Sequence, residues 1–156
     1  PFIAAASQED IYSTDPVTRE RYVHGTYCIF DNDVRTAWVT NQNKGVNAWV
    51  DIILKEKKKI FKIGIHGGYD YNDPRFGDLF TKNNRIKKMK IIFYSGYKDD
   101  TEIHSQQLDF DGTSGIKYFS FNNLNALRIK IIILEIYQGT KYSNDTCINE
   151  MKIFGR

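Results

Sequence analysis

Residues 126–137 read Ala126-Leu127-Arg128-Ile129-Lys130-Ile131-Ile132-Ile133-Leu134-Glu135-Ile136-Tyr137. Leu127, Ile129, Ile131 and Ile133 recur at every second position, which places them on one face of a β-strand. A helix would need apolar residues three and four apart, and the β-branched Ile side chains favour a pleated surface. The same signal runs through the chain. There are 20 Ile but only six Leu and six Ala, and aromatics make up 14%. That is an all-β composition, with Asn, Asp and Gly available for turns.

Outward from this stretch, further strands are expected over 48–54, 59–66, 86–95, 101–109, 116–121 and 148–154. In 59–66, Ile60, Lys62 and Gly64 alternate with Phe61, Ile63 and Ile65. The polar segment 101–109 reads as an edge strand. Pro1, Pro16 and Pro74 lie outside the apolar runs, as strands require. Asp15-Pro16 and Asp73-Pro74 mark turns. No segment is periodic enough for more than about one turn of helix. Short strands with turn clusters between them predict a sandwich or barrel. At 156 residues and 26% charged, the chain is one globular domain. No apolar run approaches the ~18 residues of a membrane helix. The opening, Pro-Phe-Ile-Ala-Ala-Ala, has neither an initiator Met nor a basic-then-apolar leader, as expected of a processed or excised piece.

The net charge of +3 is unevenly spread: −3 over residues 1–54, +8 over 55–98 and −2 over 99–156. Lys57, Lys59, Lys62, Lys88 and Lys90 read as the outward halves of strands, where lysine also discourages edge pairing. No nucleic-acid partner is expected.

Signatures of catalysis are missing. There is no Gly-rich phosphate loop, no Gly-x-Ser-x-Gly elbow and no His-x-x-x-His pair. His24, His66 and His104 have no partner at metal-ligand spacing. The chain is therefore read as a binding protein rather than an enzyme. Two segments carry chemistry. Phe30-Asp31-Asn32-Asp33-Val34-Arg35-Thr36-Ala37-Trp38 offers closely spaced oxygens of the kind Ca²⁺ takes, although Asp-Asn-Asp is also a common solvated turn. The connection Gly67 to Asn84 is longer than joining two strands requires, and long loops in compact domains are usually functional.

Asp-x-Asp-x-x-Thr-x-Trp followed by Ala48-Trp49-Val50-Asp51-Ile52 resembles the coagulation-factor type C, or discoidin, domain. The C-terminal run Tyr137-Gln138-Gly139-Thr140-Lys141-Tyr142-Ser143-Asn144-Asp145-Thr146-Cys147-Ile148-Asn149-Glu150 is similar to the translocation domain of bacterial NAD glycohydrolases. Gly68-Tyr69 and Asn84-Arg85-Ile86-Lys87 agree with it. The resemblance covers about residues 26–156. It implies a galactose-binding-like jelly roll with antiparallel sheets of about five and three strands. It also implies a structural Ca²⁺ held by Asp31, Asp33, Thr36 and Glu150, with first and last strands as neighbours. The family's usual Asp-Gly-Asp is Asp31-Asn32-Asp33 here, and Asn tolerates the left-handed conformation Gly would take. NAD hydrolysis belongs to a separate domain in the resembled proteins and is not carried over. If Asp31 and Glu150 share a cation, Cys28 and Cys147 come close enough for a disulfide suited to a secreted protein; two buried free thiols are the alternative.

By position in this fold, loops 17–24, 40–47 and 67–83 would bind ligand. Tyr69, Tyr71, Phe76 and Phe80 supply aromatic faces for a sugar ring. Asn43, His66, Asp73 and Arg75 supply hydrogen bonds, and the Arg75 guanidinium suits a pair of hydroxyls or a sialic-acid carboxylate. Tyr69, Phe76 and Phe80 are alternatively loop anchors, and Trp38 and Trp49 are expected in the core. The resulting expectation is a calcium-stabilised, noncatalytic glycan-binding module. It would be exported, act at a glycan or glycoprotein on a cell surface, and serve attachment or delivery of a linked effector. A protein-adhesion role ranks second. Membrane binding ranks third, because loop 40–47 is polar and Asp70, Asp73 and Asp78 would repel anionic head groups.

Overall fold

Twelve strands and one short helix follow in chain order in the computed structural model, which describes residues 2–10, 12–14, 17–19 and 21–156. They are β1 (Phe2–Ala6), β2 (Tyr12–Thr14), β3 (Arg21–Val23), β4 (Trp38–Val39), β5 (Trp49–His66), β6 (Asn72–Asp73), β7 (Gly77–Asp78), α1 (Leu79–Lys82), β8 (Asn83–Tyr94), β9 (Glu102–Asp109), β10 (Lys117–Tyr137), β11 (Tyr142–Ile148) and β12 (Glu150–Gly155). The expected turn at Asp15-Pro16 lies outside the described residues.

β5 and β10 organise the whole. Each was expected as two strands; each is one long strand that serves both layers of a sandwich. The first half of β5 pairs with β1 and with the second half of β10, which continues through β8 to β9. The second half of β5 pairs with the first half of β10 and with β12. These are antiparallel layers of five and three strands, as expected. β1 and β12 therefore lie end to end along the same edge of β5, rather than side by side. β11 joins the end of β8 in parallel, at Tyr142–Asn83 and Thr146–Asn84, and pairs antiparallel with β4.

The layers close on one core. Val50, Ile52 and Leu54 from the first half of β5 meet Ile60, Ile63 and Ile65 from the second, with Met89, Ile91 and Phe93 of β8 and Ile129, Ile131 and Ile133 of β10. Burying each such side chain contributes roughly 1.5–3 kcal/mol. The alternation expected for 59–66 breaks at Phe61. Register shifts in both neighbouring pairings fall between Ile60 and Lys62, a bulge that moves the buried set from Ile60 to Ile63 and Ile65. A second shift, between Ala126 and Arg128, puts Ala126 on the buried face in place of Leu127. Trp38 is fully buried, but Trp49 is only partly so: it faces outward, with the Lys130 ammonium 4.5 Å from its ring.

β11 was not expected: the sequence pattern placed no strand between residues 137 and 148. The chain instead breaks at Asn149, between β11 and β12. The long connection after β5 folds as β6, β7 and α1. The Asp78 side chain caps α1 by accepting the Phe80 and Thr81 N–H groups. Asp73 accepts from the Arg75 and Phe76 N–H groups at 2.8 and 3.0 Å, which makes the predicted Asp73-Pro74 turn.

Candidate ligand pocket

A smaller cluster, Ala37, Val39, Tyr69, Leu79 and Cys147, lies at one end of the sandwich, with Tyr71, Phe76 and Tyr142 against it. The N-terminal segment is tied across this end. Gln8 accepts the Trp38 indole N–H through its carbonyl, and the Asn41 and Gln42 N–H groups through its side chain. The Glu9 carboxylate accepts the N–H and hydroxyl of Thr26 at 2.7 and 2.6 Å, and the Asp10 N–H donates to the Val39 carbonyl. From there the β2–β3 hairpin rises over the long loop, leaving a cavity of about 300 Å³.

Three segments line it. The hairpin and the residues flanking it supply Asp10, Ser13, Thr14, Tyr22 and His24; the long loop supplies Tyr69, Asp73, Phe76, Leu79 and Asn83; β11 supplies Tyr142 and Asp145. Val39 completes the floor. The Tyr22 and Phe76 rings meet edge to face at 5.6 Å, and His24 meets Tyr69 edge-on at 6.3 Å. Burial, and then the nearby Asp10 carboxylate, push the Asp145 carboxyl up to about 6. Burial lowers the His24 pKa, opposed by Asp10.

Ser13 Oγ lies 3.1 Å from His24 Nε2, the spacing of a nucleophile and its base. The third element of such a site is a carboxylate bonded to the other ring nitrogen. Among the described residues His24 Nδ1 has no hydrogen-bond partner, so no triad forms among them.

Of the residues singled out in the sequence, Tyr69, Asp73 and Phe76 line the cavity. Tyr71 packs behind them. Arg75 stands outside, donating to Thr18 Oγ1 at 3.0 Å with its guanidinium 6.0 Å from the Tyr22 ring. Phe80 is a loop anchor, under the Arg85 guanidinium and against Gly68. His66 is elsewhere: its Nε2 lies 2.9 Å from Asp70 Oδ2 and accepts the Gly115 N–H, which pins the loop base to the approach to β10. Asn43 also falls away from the cavity. Its amide donates to the Val46 carbonyl, and the segment around it folds onto β11, where the Thr146 hydroxyl donates to the Lys44 carbonyl. The expected wall 40–47 is thus replaced by the β2–β3 hairpin. Tyr22 and His24 fall within the expected loop 17–24, although neither was singled out; Asp10, Ser13, Tyr142 and Asp145 lie outside the expected loops. The N-terminal segment that carries the hairpin is placed by contacts that local pattern does not identify, whereas Tyr142 and Asp145 stand inside the quoted C-terminal run.

The Asp31–Thr36 loop forms as a tight turn. Asn32 takes φ +58°, the left-handed conformation expected of it. Asp31 accepts the Asp33 N–H at 2.9 Å and the Thr36 hydroxyl at 2.7 Å. Glu150 is nearly buried beside it, and burial followed by the Asp31 charge raises its pKa. Asp33 turns outward to Arg35, 2.7 Å away. Asn149 Nδ2 donates to the Val34 and Thr36 carbonyls. Among the described residues, no three His, Cys, Asp or Glu side chains converge as a metal site. Asp31 is bonded to Thr36 and lies close enough to Glu150 to act on its charge, whereas the Asp33 side chain pairs with Arg35.

Cys28 and Cys147 are buried free thiols, not a disulfide. Cys28 Sγ donates to the Val23 carbonyl, while Cys147 sits in the small cluster under the cavity.

The family described as NAD glycohydrolase translocation F5/8 type C domain matches residues 7–154, so the match takes in the N-terminal segment as well. No curated protein matches the chain. Among solved structures, the fold is similar to the family 32 carbohydrate-binding module of Clostridium perfringens NanJ in complex with galactose, with TM-score 0.64, 19% identity, and 97% of this chain and 92% of that chain covered. A second C. perfringens module, in complex with GalNAc-β-1,3-galactose, gives TM-score 0.66 at 17% identity, covering 98% and 94%. The lectin domain of lectinolysin complexed with Lewis B antigen gives 0.63 at 14%, covering 97% and 91%. These likenesses show a galactose-binding-like β-sandwich.

Proposed function

Because the chain belongs to the NAD glycohydrolase translocation F5/8 type C domain family, we propose that it is a noncatalytic glycan-binding module of an exported protein, serving attachment or the delivery of a linked effector. The observation that carries this is the cavity itself. Tyr22, Phe76 and Tyr142 line it, and aromatic faces suit the C–H side of a sugar ring; Ser13, Asp73 and Asn83 bring groups that bond hydroxyls. The three solved neighbours described above carry sugars, which supports the same reading. A single sugar held by stacking and a few wet hydrogen bonds binds weakly, on the order of 0.1–1 mM or about −4 to −5.5 kcal/mol, so function relies on several copies or a linked partner.

The same reading assigns a structural Ca²⁺ to Asp31, Thr36 and Glu150, with Asp33 contributing through its backbone. A cation there would relieve the repulsion between Asp31 and Glu150, and hard oxygens are the ligands Ca²⁺ takes.

A glycan array with the whole chain tests the proposal, repeated with Phe76→Ala and Tyr142→Ala. Binding by the wild type and its loss in both variants, each still folded, is expected. An array with no bound glycan, or one that both variants bind normally, overturns it.

A further inference from the structure

Three carboxylates reach the cavity from three separate segments: Asp10 before the hairpin, Asp73 on the long loop and Asp145 on β11. Among the described residues, no Lys or Arg lines it. Three cations adjacent in sequence to lining residues have contacts of their own: Arg75 with Thr18, the Lys82 ammonium with the Phe76 carbonyl, and the Lys141 ammonium 5.4 Å from the Tyr142 ring. His24 supplies no compensating charge, since burial favours its neutral form; it is 8% exposed, and its Nδ1 is buried with no partner among the described residues. The Asp10 charge adds to the cost of ionising Asp145. A wall with tyrosine and phenylalanine faces also favours a cation, through the negative face of each ring.

We propose that the cavity selects a cationic ligand, a sugar bearing a protonated amine, over neutral and acidic sugars, with the ammonium beside Asp10 and Asp145. This rests on the glycan reading above and adds the charge class of the sugar. An ammonium there forms charge-assisted hydrogen bonds and offsets the mutual repulsion of the two carboxylates. A uronic or sialic acid would add a fourth negative charge to a site that holds none of the basic groups such sugars need. The sialic-acid role suggested by Arg75 in the sequence is set aside on this ground.

The test is a calorimetric titration of the whole chain near neutral pH with galactose, galactosamine and galacturonic acid, the corresponding glucose series, and n-butylammonium as a sugar-free amine. The amino sugar is expected to bind about tenfold more tightly than its neutral parent, the size of one charge-assisted hydrogen bond, and the uronic acid not at all. The advantage should shrink in Asp145→Asn, and in wild type when the pH is taken below about 6, where Asp145 becomes protonated. An amino sugar no better than its parent, or a uronic acid that binds as well, overturns the cation selectivity and leaves the glycan reading standing. Butylammonium binding without any sugar binding overturns the glycan reading instead. No binding of any probe overturns both.

Discussion

The Tyr69 hydroxyl donates a 2.7 Å hydrogen bond to the Arg35 backbone carbonyl, tying the floor of the cavity to the Asp31–Thr36 loop. Tyr69 is 5% exposed, and burial holds its phenol well above the usual range. One side chain thus positions both the candidate ligand wall and the candidate cation loop. Tyr69→Phe keeps the packing and removes only this bond, which predicts a loss of about 1 kcal/mol, whereas Tyr69→Ala also opens a cavity and should cost roughly 3–5 kcal/mol. Urea denaturation of the two variants, at matched slopes, measures the difference.

Calcium should stabilise the fold if Asp31, Thr36 and Glu150 hold it. The Glu150 carboxyl is raised by burial and then by Asp31, so its ionised form carries a cost that a cation would remove. Chelation is expected to lower the melting temperature of wild type. Glu150→Gln should lose the response to added calcium while leaving the domain folded, because it removes a buried negative charge. A wild-type melting curve indifferent to both chelator and calcium would reduce this loop to a hydrogen-bonded turn.

The strand class was legible because Ile, Lys and aromatic residues alternate locally, and alternation depends only on neighbours in sequence. The long strands were less so. The bulge at Phe61 and the shift between Ala126 and Arg128 are set by what pairs across the sheet, and no local pattern marks them. Loop length drew attention to 67–84, and Tyr69, Asp73 and Phe76 line the cavity. His66 shows where that reasoning stops: an imidazole at the end of a strand looks available until Asp70 and the Gly115 N–H are found against it. The hairpin half of the cavity was legible only as the loop 17–24, without its individual side chains, for a related reason. Ser13, Tyr22 and His24 become a wall only because Gln8 and Glu9 fasten their segment to Asn41, Gln42 and Thr26, contacts that span more than fifteen residues.

The two thiols should be unreactive in the folded protein. Burial, then Asp31, pushes the Cys28 thiol up to about 11, and burial raises that of Cys147 as well. Little thiolate exists near neutral pH, and the thiolate is the reacting form. A colorimetric thiol assay is expected to find almost none in native protein and both in denaturant. A count of zero in denaturant without reductant would mean that the pair is bridged.

Gly139 sets how closely the chain entering β11 can pass the end of α1. A Cβ there would overlap the Lys82 carbonyl oxygen and the Asn83 carbonyl group, both backbone, so no side chain can swing aside. The Gly139 N–H also donates to Asn84 Oδ1 at 2.8 Å. Gly139→Ala must push the two segments apart, at a cost of about 1–3 kcal/mol or more. Because Asn83 and Leu79 on one side and Tyr142 on the other line the cavity, ligand affinity should fall with stability in this variant, unlike in Phe76→Ala.

Asp145 makes the stability of the free domain depend on pH in a definite direction. Its carboxyl rises from 3.8 to about 6 on folding, because burial and Asp10 penalise the ionised form. The native state therefore keeps this proton at pH values where the unfolded chain has released it. Stability from this group is greatest at acid pH and declines as pH rises from about 4 to about 6, after which it stays low. Asp145→Asn removes the penalty without removing the side chain's volume. The variant should be more stable than wild type at pH 7, and the gap should narrow by pH 5 and below. Paired urea melts at the two pH values measure this; a variant less stable than wild type at pH 7 would show that the ionised Asp145 is held by a favourable partner instead.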